Sequence, residues 1–265
     1  MKIALCGKGG SGKSTLTVLL AKSFSLKGYS VLVIDSDESN SGLHRKLGFG
    51  KAPLPIMQMA GGRQGVKERK NKKLQIGEAH ITTDFIQNDR LSIADIPEGN
   101  IIRNNGIALV QIGKIDNALE GCACPMGLVN RELLDKIELS PLEVIIIDTE
   151  AGMEHFGRGI ETAIDGIIII VDPSAESVDF AAKAYGLSQT IGLQHIWVVL
   201  NKVNNENIKA KMAQRLNQKG IKVTAGIPAD DLVFESELDG NSVQSRSAMA
   251  AVEALTEHII DSIKQ

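Results

Sequence analysis

No stretch of the sequence reaches the roughly 18 uncharged apolar residues that a membrane-spanning helix requires. The opening residues enter a short apolar strand rather than a signal segment. Net charge is also small, −3 with a pI near 6.0, so nothing global draws the chain towards nucleic acid or a lipid surface. Cysteine is scarce. There are three, an odd number, and two stand only one residue apart; that is no disulfide framework and leaves reduced thiols or metal ligation. These absences point to a cytoplasmic protein whose partners must be found from local features. What is present, 43% hydrophobic and 23% charged residues in 265, is the composition of a globular protein able to bury a full core. Length alone leaves one or two domains open, and the even alternation of strand and helix favours one domain over 1–265.

The most informative stretch is Gly7-Lys8-Gly9-Gly10-Ser11-Gly12-Lys13-Ser14-Thr15. The apolar run Lys2 to Cys6 before it reads as a strand buried on both faces, and Leu16 to Leu26 returns to helical spacing. Glycines on such a strand-to-helix turn let backbone N–H groups converge on phosphate oxygens at the positive end of a helix. The stretch satisfies G-x-x-x-x-G-K-[ST], in which Lys13 reaches the β- and γ-phosphates and the Ser14 hydroxyl ligates Mg²⁺. The expected fold is therefore α/β, a doubly wound, mostly parallel sheet of the P-loop NTPase type.

Lys8, second in the loop, resembles the deviant Walker A lysine of the MinD/ParA/nitrogenase-iron-protein group of ATPases. The resemblance implies a homodimer that sandwiches two ATP molecules, with Lys8 reaching the partner's nucleotide. The second strand, Ser30 to Asp35, ends in acids, and its Asp35-x-Asp37 matches the switch I segment of that group. By resemblance Asp37 orients or deprotonates the attacking water and Asp35 lies near the metal shell. Glu143 to Asp148 has the Walker B pattern of four apolar residues and an acid, so Asp148 would hold Mg²⁺ through water. Thr149 to Gly152 follows where the group carries switch II, and His155, just beyond, is expected to be structural or superficial. Asn201-Lys202 resembles the base-reading pair of P-loop proteins; Asn204 stands where a GTPase has its guanine-reading aspartate, so adenine is favoured. By the same resemblance Pro228-Ala229-Asp230 flanks the adenine, and the expected cofactors are ATP/ADP and Mg²⁺.

Between about 48 and 105 the periodicity dissolves, with Pro53, Pro55, Gly61-Gly62 and the basic run Lys67, Arg69, Lys70, Lys72, Lys73. This reads as an exposed, mobile insertion whose basic run is a solvated loop; binding of nucleic acid or of an acidic protein is the alternative, but no aromatic residue accompanies the run. Ile107 to Gly113 reads as a central strand. The last helix, from about 245 to 264, sets apolar residues at 248, 252, 255, 259, 260 and 263 on one face. It carries no basic amphipathic tail, which counts against membrane attachment.

Cys122 and Cys124 precede a helix beginning near Pro125. In an extended segment i and i+2 project to one side, so both sulfurs can face one metal, and the helix N-terminus favours the thiolate. Two thiolates do not fill a tetrahedral site, whereas two such pairs in a twofold dimer supply four. A pair of packing thiols or a local redox pair is the alternative, and Cys6 belongs to the core. Gly113-Lys114-Ile115, Glu120-Gly121-Cys122-Ala123-Cys124-Pro125 and the run from Asp148 to Gly159 are similar to the CooC family, ATPases that mature nickel-containing carbon monoxide dehydrogenase. The resemblance implies an ATP- and metal-dependent homodimer with one Ni²⁺ or Zn²⁺ on the two cysteine pairs. It further implies apo carbon monoxide dehydrogenase, or the related acetyl-CoA synthase, as client, and no nucleic acid or membrane partner. A MinD/ParA-type positioning ATPase acting on DNA or membrane explains the nucleotide motifs equally well but has no use for Cys-x-Cys.

Overall fold

The computed structural model describes residues 1–39, 42–75, 84–114, 124–153, 156 and 159–264. Eight strands form one sheet in the order β3-β4-β2-β5-β1-β6-β7-β8. They are β1 (Lys2–Gly7), β2 (Ser30–Asp35), β3 (Ile101–Asn104), β4 (Ile107–Gln111), β5 (Glu143–Asp148), β6 (Gly166–Val171), β7 (His195–Asn201) and β8 (Ala225–Ile227). Only β3 runs antiparallel, against β4; every other pairing is parallel. The central strands read as unbroken apolar runs because both faces are covered, and their side chains divide between two cores. Ile3 and Leu5 of β1 point to one, together with α1 (Lys13–Leu26) and the C-terminal helix Ser247–Ile263. Ala4 and Cys6 point to the other, beneath α5 (Cys124–Lys136) and α6 (Ala175–Thr190). Cys6 is a core residue, as expected.

Parallel pairing puts the C-terminal ends of the strands along one edge. Asp35 of β2 pairs with Asp148 of β5 and Gln111 of β4, and Asp148 pairs with Leu5 of β1, two residues before the glycine-rich loop. The chain runs from β1 to one side through β2 and returns to cross to β6 on the other, so the loop sits at the reversal of strand order where such sheets bind ligands.

Residues 76–83 of the insertion lie outside the described residues, and the others, 48–75 and 84–105, are not the irregular loop that their sequence suggests. They contain α3 (Ile56–Met59), a single 3₁₀ turn at Ile93–Asp95, strand β3 and a 14-residue helix, α4 (Gly62–Gln75), on which the basic run lies. Helical periodicity is invisible there because Val66 is the helix's one buried residue, so no apolar stripe marks it. The strand read as central, β4, is second from the edge; β3 and the layers on both faces bury all five of its residues, which imitates a central position. At the opposite edge of the sheet, β8 is a short strand of three residues beside β7. α7 (Glu206–Gln218) precedes it, and α8 (Asp231–Leu238) and α9 (Ser247–Ile263) follow, after the short α2 (Leu43–Lys46) earlier in the chain. The apolar stripe of α9 is spent on the core, with Ala248, Val252, Leu255, Ile259 and Ile260 buried. No helix among the described residues is long and apolar enough to cross a membrane.

Candidate nucleotide site

The loop after β1 folds back on itself, Ser11 N–H donating to the Lys8 carbonyl at 3.1 Å, and delivers the chain into α1 at Gly12. Gly12 has φ 98°, and a Cβ there would collide with the Asn201 amide, so two independent demands fix glycine at this position. Gly7 is held to glycine by close approach alone, since a Cβ would lie 2.9 Å from the Ile170 carbonyl oxygen. Lys13 is buried, and its Nζ lies 3.2 Å from the Gly7 carbonyl oxygen and 3.5 Å from that of Lys8. The loop opens on a cleft of about 380 Å³. Gly9, Gly10, Lys13, Ser14 and Thr15 line one side and Asp37 another. Asn201, Lys202, Pro228, Ala229 and Asp230 close the far wall, so segments remote from one another in sequence meet there.

Several of these residues are held by contacts within the protein. Asn201 Nδ2 donates to the Ser11 carbonyl at 2.8 Å and Lys202 Nζ to that of Gly10 at 2.8 Å, so this pair braces the phosphate loop. The Asp230 carboxylate is consumed by the protein. Oδ2 accepts from Arg246 N–H at 2.7 Å, Ala248 N–H at 3.0 Å and the hydroxyls of Ser245 and Ser247, while Oδ1 caps α8 through Leu232 N–H. Burial would raise its pKa, but the bonds from Ala248, Arg246, Ser245 and Ser247 hold the carboxyl far below the usual carboxylate range. Asp230 thus ties the cleft wall to the start of α9. Asp230→Ala should cost about 2–4 kcal/mol, since several donors at the start of α9 lose their acceptor together. The depressed pKa means that the stabilisation is present above the unfolded carboxylate pKa and is lost as pH falls. Thermal melts of parent and variant should therefore differ most at neutral pH and converge in acid.

Lys8 does not line the cleft; its ammonium lies 3.6 Å from exposed Glu176, at the start of α6. Asp37 is buried, and its Oδ1 accepts from the Ser39 N–H at 2.9 Å and hydroxyl at 2.6 Å, a turn that shapes the switch loop. Asp148 is fully buried, and neither carboxylate oxygen finds a partner of full hydrogen-bond geometry among the described residues. Burial pushes its pKa up to about 6, against the pull of the neighbouring Ser14 hydroxyl and of Lys13. Two orphaned carboxylate oxygens beside a hydroxyl at a helix N-terminus fit Mg²⁺. Ser14 would hold the ion directly and Asp148 through water, and the ion would supply charge to offset the phosphates.

Three contributors escaped the sequence reading. Lys114 forms a buried ion pair of 2.8 Å with Asp35, which the β2–β5 register sets beside Asp148. Burial pushes the Asp35 pKa up to about 7 even against the Lys114 charge. Glu237 and Lys46 form a half-buried pair at 2.7 Å in the cleft wall, and the Thr15 hydroxyl donates to the same carboxylate. Each partner is remote in sequence, and no local motif marks it. Of the expected metal ligands, Cys122 lies outside the described residues, and Cys124 is exposed as the first residue of α5. His155 and the segment 115–121 are likewise outside them. Among the described residues no group of three or more His, Cys, Asp or Glu side chains could hold a metal ion.

Comparison with known proteins agrees with this geometry. The model of the CobQ/CobB/MinD/ParA nucleotide binding domain matches residues 3–243. An uncharacterized ATP-binding protein of Methanocaldococcus jannaschii is 40% identical over 245 residues, 92% of this chain and 94% of that protein. The carbon monoxide dehydrogenase accessory protein CooC of Rhodospirillum rubrum is 34% identical, covering 98% of this chain and 97% of its own. Among solved structures, the septum site-determining protein MinD of Pyrococcus horikoshii, complexed with Mg-ADP, superposes with a TM-score of 0.69 at 17% identity, over 100% of this chain and 98% of that one; this is a likeness of fold. With its phosphate loop, its orphaned Asp148 and a family match that runs almost from end to end, the chain belongs to the CobQ/CobB/MinD/ParA nucleotide-binding family and is a P-loop ATPase of ATP/ADP and Mg²⁺.

Proposed function

We propose that this ATPase works as a homodimer that couples its nucleotide state to delivery of nickel into carbon monoxide dehydrogenase or the related acetyl-CoA synthase. The observation that carries the reading is the 34% identity to CooC across nearly the whole of both chains, combined with the Cys122-x-Cys124 pair at the head of α5. The metal is cargo, held by Cys122 and Cys124 of each of two subunits, because one chain offers two sulfurs where a closed thiolate site needs four. Lys13, Ser14, Asp37 and Asp148 run the ATPase cycle; Lys8 completes the partner's site; Pro228 and Ala229 flank the adenine, while Asn201 and Lys202 hold the phosphate loop beside it. Hydrolysis proceeds by attack of water, oriented by Asp37, on the γ-phosphorus, with Lys13 and the loop N–H groups stabilising the charge spread over the transferred group.

Calorimetric titration of Ni²⁺ and of Zn²⁺ into the ADP and ATP forms tests this reading. The expected stoichiometry is one ion per two chains. Cys122→Ser and Cys124→Ser should each weaken binding by at least about tenfold, and Cys6→Ser should leave it unchanged. Affinity should differ between the two nucleotide states, and by reciprocity the metal should then shift nucleotide preference by the same factor. One ion per chain, or tight binding that survives the double Cys122→Ser, Cys124→Ser variant, would reject metal delivery. ATP-dependent binding to DNA or lipid vesicles would instead favour the positioning-ATPase reading.

A further inference from the structure

Outside the nucleotide cleft, an unusual concentration of buried polarity surrounds the switch segment Asp35-Ser36-Asp37. From one side Lys114 Nζ reaches both the Asp35 carboxylate, at 2.8 Å, and the Asp37 carbonyl; the Lys114 side chain is 5% exposed and that of Asp35 3%. From the other, Asn130 Nδ2 on α5 donates to Ser36 Oγ at 2.8 Å. Asn130 is fully buried, and its Oδ1 has no hydrogen-bond partner among the described residues. Lys114 is itself held, its carbonyl accepting from Arg63 Nη2 on α4 at 3.1 Å. Neither Lys114 nor Asn130 lines the cleft, so neither touches a nucleotide bound there. Buried ion pairs and buried amides are expensive to keep, and a core of apolar residues would serve stability as well or better. Their common feature is the segment they grip: every consecutive residue of 35–37 is anchored, two by Lys114 and one by Asn130.

We propose that Lys114 and Asn130 are positioning residues that clamp the switch segment, so that Asp37 is set for hydrolysis by the same stretch of chain, 114–130, that carries Cys122 and Cys124. A change in switch I on nucleotide exchange then displaces the head of α5, and a ligand on the cysteines biases switch I in return. The clamp on Asp37 stands independently of cargo; the link to the cysteines rests on the metal-delivery reading.

The test measures steady-state ATP hydrolysis and thermal unfolding of the full chain for Lys114→Met, Asn130→Ala and the double variant Asp35→Asn, Lys114→Met. Lys114→Met should lower kcat about tenfold or more while KM for ATP stays within about threefold, because placement of the attacking water fails and nucleotide contacts do not. It should also lower Tm, since Asp35 is left buried without its partner. The double variant removes both charges and should recover most of the Tm while kcat remains low, because the anchor on the Asp37 carbonyl is still missing. Asn130→Ala should reduce kcat several-fold at unchanged KM. A double variant that regains both Tm and kcat would make the pair merely structural and overturn the proposal, as would a Lys114→Met variant whose KM rises at constant kcat. In metal-free protein, the alkylation rate of Cys124, followed by peptide mass spectrometry, should differ between ADP and non-hydrolysable ATP in the parent and become equal in Lys114→Met; equal rates in the parent would overturn the link to α5. Absence of nickel binding would sink the delivery reading and leave these kinetic outcomes intact.

Discussion

Lys13→Ala is expected to reduce kcat/KM for ATP by about 10²–10³-fold or more, because one ammonium is the concentrated positive charge that the loop itself can set against the transferred phosphoryl group. The lysine is buried at the foot of the loop, and its Nζ lies within 3.5 Å of two loop carbonyl oxygens. Those carbonyls lose a donor in the variant, a cost of roughly 1–2 kcal/mol that a domain with two extensive cores tolerates. Circular dichroism should be unchanged and the melting temperature lowered by a few degrees at most. A variant with an unaltered spectrum that hydrolyses ATP within about threefold of the parent would remove this loop from the mechanism.

Asp37→Asn should leave ATP binding nearly intact and slow hydrolysis by about 10²–10⁴-fold, the range over which a positioned general base contributes. Asparagine is the sharper substitution than alanine. Its amide oxygen still accepts from the Ser39 N–H and hydroxyl, so the turn that the aspartate builds survives while the basicity is lost. The variant should accumulate in its ATP-bound form, and light scattering with ATP present should report a mass near twice that of the chain. If it turns over at the parental rate, the attacking water is activated elsewhere; if it stays monomeric with ATP bound, closure does not depend on the nucleotide.

The parts of this molecule that were legible in its sequence are those whose chemistry is contiguous. A phosphate cradle must follow its strand and open its helix, so Gly7 to Thr15 reads directly, and a carboxylate ending a buried strand marks Asp148 in the same way. The sheet was legible because burial on both faces writes Ile and Val in unbroken runs, as in β5 and β6. What was lost depends on separation along the chain. Lys114 meets Asp35 across 79 residues, and Lys46 meets Glu237 across 191; a lone lysine or glutamate gives no local sign of such a partner. Helix α4 was lost for the opposite reason, since a helix with one buried residue looks like a solvated charge run. The network of Asp230 was lost as well, because a Pro-Ala-Asp loop by itself does not show that its carboxylate will face five donors.

The grip of Asp230 on the head of α9 also has a bearing on the order in which this protein becomes able to act during synthesis. The phosphate loop precedes its partners in the chain, and β1 cannot be flanked until β5 and β6, which ends at Val171, have emerged. Even then the far wall of the cleft is unfinished. It waits for Glu237 to meet Thr15 and Lys46, and for the backbone of 246–248 to reach Asp230. Phosphate loop and far wall therefore come from segments remote in sequence, and a nascent chain that exposes the complete loop motif still cannot enclose a nucleotide. Competence to bind ATP waits for residues 230–248, which keeps shorter nascent chains out of the ATPase cycle.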